Sequence, residues 1–318
     1  FCRCSCALIN GPLFSLPSSF SLFMTRDPKE ILKKIRRIEL RTRRLVNSSF
    51  AGQYHSVFKG RGMNFEEVRE YAPGDEIRAI DWNVTARMNA PYIKKFTEER
   101  EMTVMLLVDV SASGIFGSVE LSKRELAAEV ASLLAFSAIN NNDKVGLLLF
   151  SDEVELFIPP KKGRLHSLRL IREMLYFEPK GKGTNLTIAL EYMNRVISRR
   201  AVVFMISDFL APDFSKALNV TSRRHDLVAM PVTDPGESDM PDVGIITLED
   251  AETGEQIDIN TSSRAVRRGL LTANEDRRIH LESLFRSRRI DIVPLSTTED
   301  YLIAIRAFFV QRERRMAA

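Results

Sequence analysis

Cysteine is confined to the first six residues of this 318-residue chain, at Cys2, Cys4 and Cys6. Alternate spacing suits neither a zinc knuckle nor a disulfide framework, so the body of the chain has no need of an oxidising compartment. Histidine is scarce as well. His55, His166, His225 and His280 are scattered, and none has a second His or Cys at ligand spacing, so each reads as structural or exposed. No segment approaches the roughly 18 to 20 apolar residues of a membrane span. A cytoplasmic home is therefore expected. Charge of one sign is also wanting in bulk, since the formal net charge is only +4. The excess is local: residues 24–50 hold nine Lys or Arg against three acids. A basic face of that kind is a solvated helix surface, or it meets nucleic acid, anionic lipid or an acidic protein.

What is present reads as a globular protein with one large domain and a smaller one, with 44% hydrophobic and 28% charged residues. Residues 1–23 differ from the rest. Pro12, Pro17 and four serines between Ser15 and Ser21 interrupt any signal-peptide core, so this stretch reads as a disordered or non-native extension. Residues 24–101 form the smaller unit. A helix is expected from about Pro28 to Val46, with Ile31, Ile35, Ile38 and Leu45 on one stripe and basic residues over most of the remainder. Frequent turn signals then separate short β-prone runs such as Ile77–Trp82 and Tyr92–Phe96, with Trp82 as the core anchor of a β-rich subdomain.

From residue 102 to 313 the pattern alternates. Apolar strands are expected at Thr103–Val110, Lys144–Phe150, Ala201–Ser207, Asp226–Val232 and Ile290–Pro294, with amphipathic helices between most of them. Val154–Ile158 is expected to pair antiparallel beside the second. An insertion at about 236–288 holds a β-hairpin, turning at residues 252–255, and a long Arg-rich helix. The fold class is thus α/β: a Rossmann-like, mostly parallel sheet with helices on both faces, preceded by a small helical and β-rich subdomain.

The chemistry gathers at strand ends. Asp109 closes the first strand, and Ser111 and Ser113 follow at alternate positions; Thr184 lies in a Gly-Lys-Gly-Thr-Asn loop before a helix, and Asp208 ends the third strand. In an open α/β sheet such ends border the ligand crevice. Carboxylate and hydroxyl oxygens without His or Cys suit a hard cation such as Mg²⁺, with Mn²⁺ or Ca²⁺ as alternatives. The competing reading is that these residues merely cap helices and make turns. Hydrolytic chemistry lacks support: the phosphate-loop spacing and the Gly-x-Ser-x-Gly elbow are absent, and Ser111 has no identifiable base. Asp75, Glu76 and Asp81 read as turn chemistry with a salt link to Arg78 or Arg87 rather than an acid–base pair.

The spacing of Asp109, Ser111, Ser113, Thr184 and Asp208 resembles the metal-ion-dependent adhesion site of von Willebrand factor type A (vWA) domains. The wider chain resembles the bacterial family known as domain of unknown function 58, through residues 54–62, 68–75, 80–83, 142–146 and 206–209. The resemblance implies a non-enzymatic module in which Ser111, Ser113 and Thr184 contact the metal while Asp109 and Asp208 hold coordinated waters and orient the serines. It implies an acidic side chain of a client, Asp or Glu, as the last ligand, and a MoxR-type AAA+ ATPase as partner, with the protein as adaptor or co-chaperone. Phe209 departs from the type A pattern, where Gly commonly follows the last Asp. The rival reading is a nucleic-acid or anionic-surface binder using the basic helices.

Overall fold

The computed structural model describes residues 2–5, 54, 57, 64–97 except 74 and 89, and 101–317 except 119, 120, 238, 239 and 251. The basic helix expected at 28–46 lies outside the described residues, as does 6–23. Within the stretch read as disordered, Cys2–Ser5 is a strand, β1, paired antiparallel with residues 247–250.

Among its described residues, the smaller unit holds one antiparallel strand pair with a short helix between the strands. Strands β2 (Asn64–Glu70) and β3 (Tyr92–Thr97) pair antiparallel, and between them lie a 3-10 turn (Ile77–Ala79) and helix α1 (Trp82–Met88). Asp81 explains the helix. Its Oδ1 accepts the N–H groups of Asn83 and Val84, an N-terminal cap that ends the expected strand at Ile77–Trp82. Trp82 is consequently on the first turn of a surface helix and 68% exposed, so it is not the core anchor. Asp75 pairs with Arg69 at 2.7 Å.

The large unit follows the expected alternation. Its strands are β4 (Thr103–Asp109), β5 (Lys144–Phe150), β6 (Val154–Lys161), β7 (Val202–Ser207) and β8 (Asp226–Thr233), and after the β9 (Ile245–Asp250) and β10 (Gln256–Asn260) hairpin come the short β11 (Asp291–Ile292) and β12 (Leu295–Ser296). The main sheet runs β11-β8-β7-β4-β5-β6, with β12 also on β8; only β6 is antiparallel. Pro294, with no N–H to donate, lies where the last strand breaks into β11 and β12. Counting the sheet's strands along the chain, the order is the doubly wound 3-2-1-4-5-6.

Each strand feeds two cores. Val104, Leu106 and Val108 of β4 face one hydrophobic cluster, shared with helices α2 (Lys123–Asn140), α3 (Arg164–Tyr176) and α7 (Tyr301–Ala317). Met105 and Leu107 face the other, with α4 (Leu186–Val196), α5 (Ser215–Arg224) and Phe285 near the end of α6 (Arg264–Arg286). Alternate side chains of a strand point to opposite faces, so a continuous apolar run is what a doubly covered strand requires. The first cluster also takes in Tyr54, fully buried with its ring 6.1 Å from Phe309, and burial and the nearby Asp143 charge hold its hydroxyl pKa well above the ordinary tyrosine value. Asp143 in turn accepts the Met102 N–H just before β4.

Candidate functional site

The doubly wound order places its switch point between β4 and β7, the first strand pair whose connections leave in opposite directions. Their carboxyl ends are Asp109 and Ser207-Asp208. Four of the five expected site residues meet there.

Asp109 is the centre. Its Oδ1 accepts the Ser111 N–H at 2.9 Å and its Oδ2 accepts the Ser207 hydroxyl at 2.6 Å, which couples the end of β4 to the end of β7. Burial, with the nearby Asp208 charge, pushes the Asp109 carboxyl up to about 7 against those hydrogen bonds. The hydroxyl oxygens of Ser111 and Ser113, both 1% exposed, lie 2.9 Å apart. Two neighbouring ligands in a Mg²⁺ octahedron with bonds of 2.0–2.1 Å would also be about 2.9 Å apart. The pair thus has the spacing of one edge of that octahedron as well as that of a hydrogen bond.

Asp208 accepts the Leu210 N–H at its Oδ1 and the Lys123 ammonium at its Oδ2, 2.9 Å away. Lys123 also reaches Glu237 at 2.6 Å, and its side chain is 3% exposed. These acids hold the lysine charged: although burial opposes ionisation, Asp208 and Glu237 together raise its pKa above the ordinary lysine value. Asp109, Ser113, Lys123, Ser207 and Asp208 line a cavity of about 20 Å³, room for one water-sized species.

Thr184 stands in the adjoining loop. That loop is fixed by Glu155, whose Oε1 accepts the N–H groups of Lys180 and Gly181 and the Ser151 hydroxyl, and it touches the Asp-x-Ser-x-Ser loop where the Ala112 N–H donates to the Lys182 carbonyl. The Thr184 hydroxyl donates to Glu252 Oε1 at 2.8 Å, a carboxylate carried by the turn of the β9–β10 hairpin. Burial and the Asp208 charge outweigh that bond and raise the Glu252 carboxyl above its usual range.

Could such a set hold a divalent cation? With every carboxylate ionised, Asp109, Asp208, Glu237 and Glu252 bring four negative charges against the one of Lys123, and the hydroxyl oxygens supply neutral donors. The donor chemistry fits a hard cation held partly through water, because both Asp109 oxygens already position Ser111 and Ser207. Among the described residues no group of three or more His, Cys, Asp or Glu is arranged to hold a metal, so any cation site depends on hydroxyls. Lys123, Glu237, Ser207 and Glu252 were not among the residues read from sequence. Ser207 carried a signal in its place beside Asp208 at a strand end, and Glu252 in its place in a hairpin turn.

A model of the family described as "Protein of unknown function DUF58" matches residues 67–280. The chain belongs to that family. The uncharacterized protein Rv1480 of Mycobacterium tuberculosis is 30% identical to it over 291 residues, 91% of each chain. Among solved structures, the conserved hypothetical protein BatB from Bacteroides thetaiotaomicron is similar with 16% identity, covering 68% of this chain and 98% of that one at a TM-score of 0.43. The SpRpn10 VWA domain is similar with 11% identity, over 65% of this chain and 95% of that one, at a TM-score of 0.36.

In this DUF58 chain the position after Asp208 has a left-handed backbone although it is not glycine. Phe209 has φ 56°. Its ring is buried 5.1 Å from Phe285 and 6.2 Å from Phe214, and that packing offsets the conformational cost.

Proposed function

We propose that the protein is a non-enzymatic interaction module that docks a partner's carboxylate through Mg²⁺, or Mn²⁺ or Ca²⁺ in its place, held at Ser111, Ser113 and Thr184 with Asp109 and Asp208 behind them. The observation that carries this reading is the hydroxyl pair of Ser111 and Ser113, buried at the switch point beside two carboxylates. Neutral hydroxyl donors leave a cation's charge poorly balanced, which favours an Asp or Glu from a client as a further ligand. The chain's own residues bind and orient. Asp109 fixes the Ser111 backbone, Glu155 fixes the loop of Thr184, and Lys123 restrains Asp208.

By resemblance to its family, the partner is a MoxR-type AAA+ ATPase, and the role is adaptor or co-chaperone in the cytoplasm. Among the described residues no helix is long and apolar enough to cross a membrane. The nucleic-acid reading is weakened on α6, where Arg278 and Arg286 pair with Glu282 and Arg267 pairs with Asp242.

Isothermal titration with Mg²⁺ tests the metal. Binding to the wild type, with loss in Ser111→Ala and in Ser113→Ala while both stay folded, is the expected result; equal heats in all three would refute it. Capture of the MoxR-type ATPase that chelator abolishes, and moderate salt does not, is expected of the docking step.

A further inference from the structure

The carboxylate that a metal-docking site would take from a partner is already supplied at Thr184 by the chain itself. We propose that the β9–β10 hairpin is a tethered gate, in which Glu252 covers Thr184 and competes with the acidic side chain of an incoming partner. This rests on the docking reading above.

Three observations support the gate. The hairpin tip is built to aim Glu252: Asp250 Oδ1 accepts the N–H groups of Glu252 and Thr253, the Asp250 carbonyl accepts the Gly254 N–H, and Gly254 takes the positive φ of 75° that closes the turn. The Glu252 carboxylate then lies over the loop, with Oε1 on the Thr184 hydroxyl and Oε2 placed 3.6 Å from where a Gly183 Cβ would stand.

The arm that carries this tip is lightly held. None of its described side chains belongs to either hydrophobic cluster, and β10 is exposed at four of its five positions. Its base is pinned by Thr261, whose N–H and hydroxyl both donate to the Gly244 carbonyl at 2.7 Å, and Gly244 itself has φ 90°. With β1 on the other side of β9 the arm is three-stranded, and Ile246 is the buried apolar residue of its described strands. Such an arm, with a fixed base and a polar tip contact, can swing as one piece at a small cost in buried apolar surface.

The third observation is the contact's chemistry. The Thr184 hydroxyl donates a hydrogen bond to the Glu252 carboxylate, so the bond is one that a second carboxylate could accept equally well. A supporting role for Glu252, polarising the Thr184 hydroxyl toward a cation, makes the opposite prediction about free carboxylate, and this separates the two.

The test uses the full chain with Mn²⁺ as the metal and glutarate as the free carboxylate, read by water-proton relaxation of bound Mn²⁺ and by calorimetry. Glu252→Ala is the opening variant, with Glu252→Gln as a conservative second and circular dichroism as the fold check. The gate predicts that both variants still bind Mn²⁺, that glutarate lowers the relaxation of bound Mn²⁺ at concentrations at least ~10-fold lower than in the wild type, and that amides at 252–254 exchange faster on addition of glutarate to the wild type. Equal glutarate response in variants and wild type, with Mn²⁺ bound in each, overturns the gate and leaves the metal reading intact. Weaker Mn²⁺ binding without any gain for glutarate assigns Glu252 the supporting role and also overturns the gate. Absence of Mn²⁺ binding in every form overturns the metal reading, and the gate with it.

Discussion

Replacing Lys123 by methionine isolates the electrostatics of the switch point. The ammonium bridges Asp208 at 2.9 Å and Glu237 at 2.6 Å, with side chains 3%, 6% and 13% exposed respectively. Methionine keeps most of the buried stem, so the loss is chiefly of charge and hydrogen bonds. Removing one partner of a buried ion pair leaves the other desolvated and unbalanced, at a cost of about 3–5 kcal/mol. Here two carboxylates are left, Asp208 and Glu237, while Asp109, its carboxyl already pushed up to about 7, can take up a proton rather than add its charge to theirs. The expected loss lies within that range of about 3–5 kcal/mol, measured by urea unfolding in chelator. Lys123→Met with Glu237→Gln should recover part of it, because one of the two orphaned charges is gone. Added Mg²⁺ discriminates further: at about a hundredfold excess over Kd, a ligand of the folded state alone contributes ~2.7 kcal/mol. If the cation binds against the same carboxylates, Mg²⁺ should stabilise the single variant more than the wild type. A loss below about 1 kcal/mol in chelator would mean that water reaches these groups freely, and the reasoning from burial would fail.

Phe209→Gly should relieve a left-handed strain of ~1–2 kcal/mol but delete a buried aromatic ring, whose removal costs about 3–5 kcal/mol. Net destabilisation by ~2 kcal/mol in denaturant unfolding is expected, and a more stable variant would refute the packing account. His225 is buried, its Nδ1 accepts the Ala201 N–H, and burial together with Arg224 and Arg200 lowers its pKa to about 4. Because the unfolded chain takes up a proton near the ordinary histidine value and the folded chain does not, this contribution is intact at neutral pH. It is lost as pH falls from about 6.5 toward 4, at less than ~1.4 kcal/mol per pH unit. His225→Asn should flatten that part of the stability profile. Gly181→Ala would drive a Cβ to 2.4 Å from the buried Ser151 hydroxyl and 1.6 Å from Asp152, whereas a Cβ at Gly183 meets nothing nearer than 3.6 Å. Thermal unfolding should show a loss of about 1–3 kcal/mol for the first and under ~1 kcal/mol for the second.

The strands of the large unit could be read because burial on both faces forces an apolar run of the kind seen at Thr103–Asp109, and the helices because one stripe of each packs. Strand order was open to inference only as a class. The placement of β7 beside β4 rather than beyond β6 is set by crossover geometry, which leaves no mark on any single residue. The smaller unit shows the opposite failure. Ile77–Trp82 has strand composition, yet Asp81 caps a helix there and turns Trp82 outward, a local polar contact overriding propensity.

Within the site, the readable residues were those whose meaning is local: Asp109, Ser111 and Ser113 at one strand end, Asp208 at another. Partners joined across the chain were not, since Lys123 meets Asp208 and Glu237 over separations of 85 and 114 residues, and Thr184 meets Glu252 over 68. One physical clue to Lys123 is nonetheless in the sequence. Ser122 and Glu125 form a capping box, which fixes the start of α2 and puts Lys123 and Arg124 in its first turn, at the positive end of the helix dipole. Two cations there are unfavourable unless something takes them up. The structure answers both: Arg124 donates to the Phe177 carbonyl, and Lys123 is drawn under the sheet edge by two acids. A capping box followed at once by paired cations thus marks a helix start at which buried acceptors are needed, and in this fold the start of α2 borders the switch point.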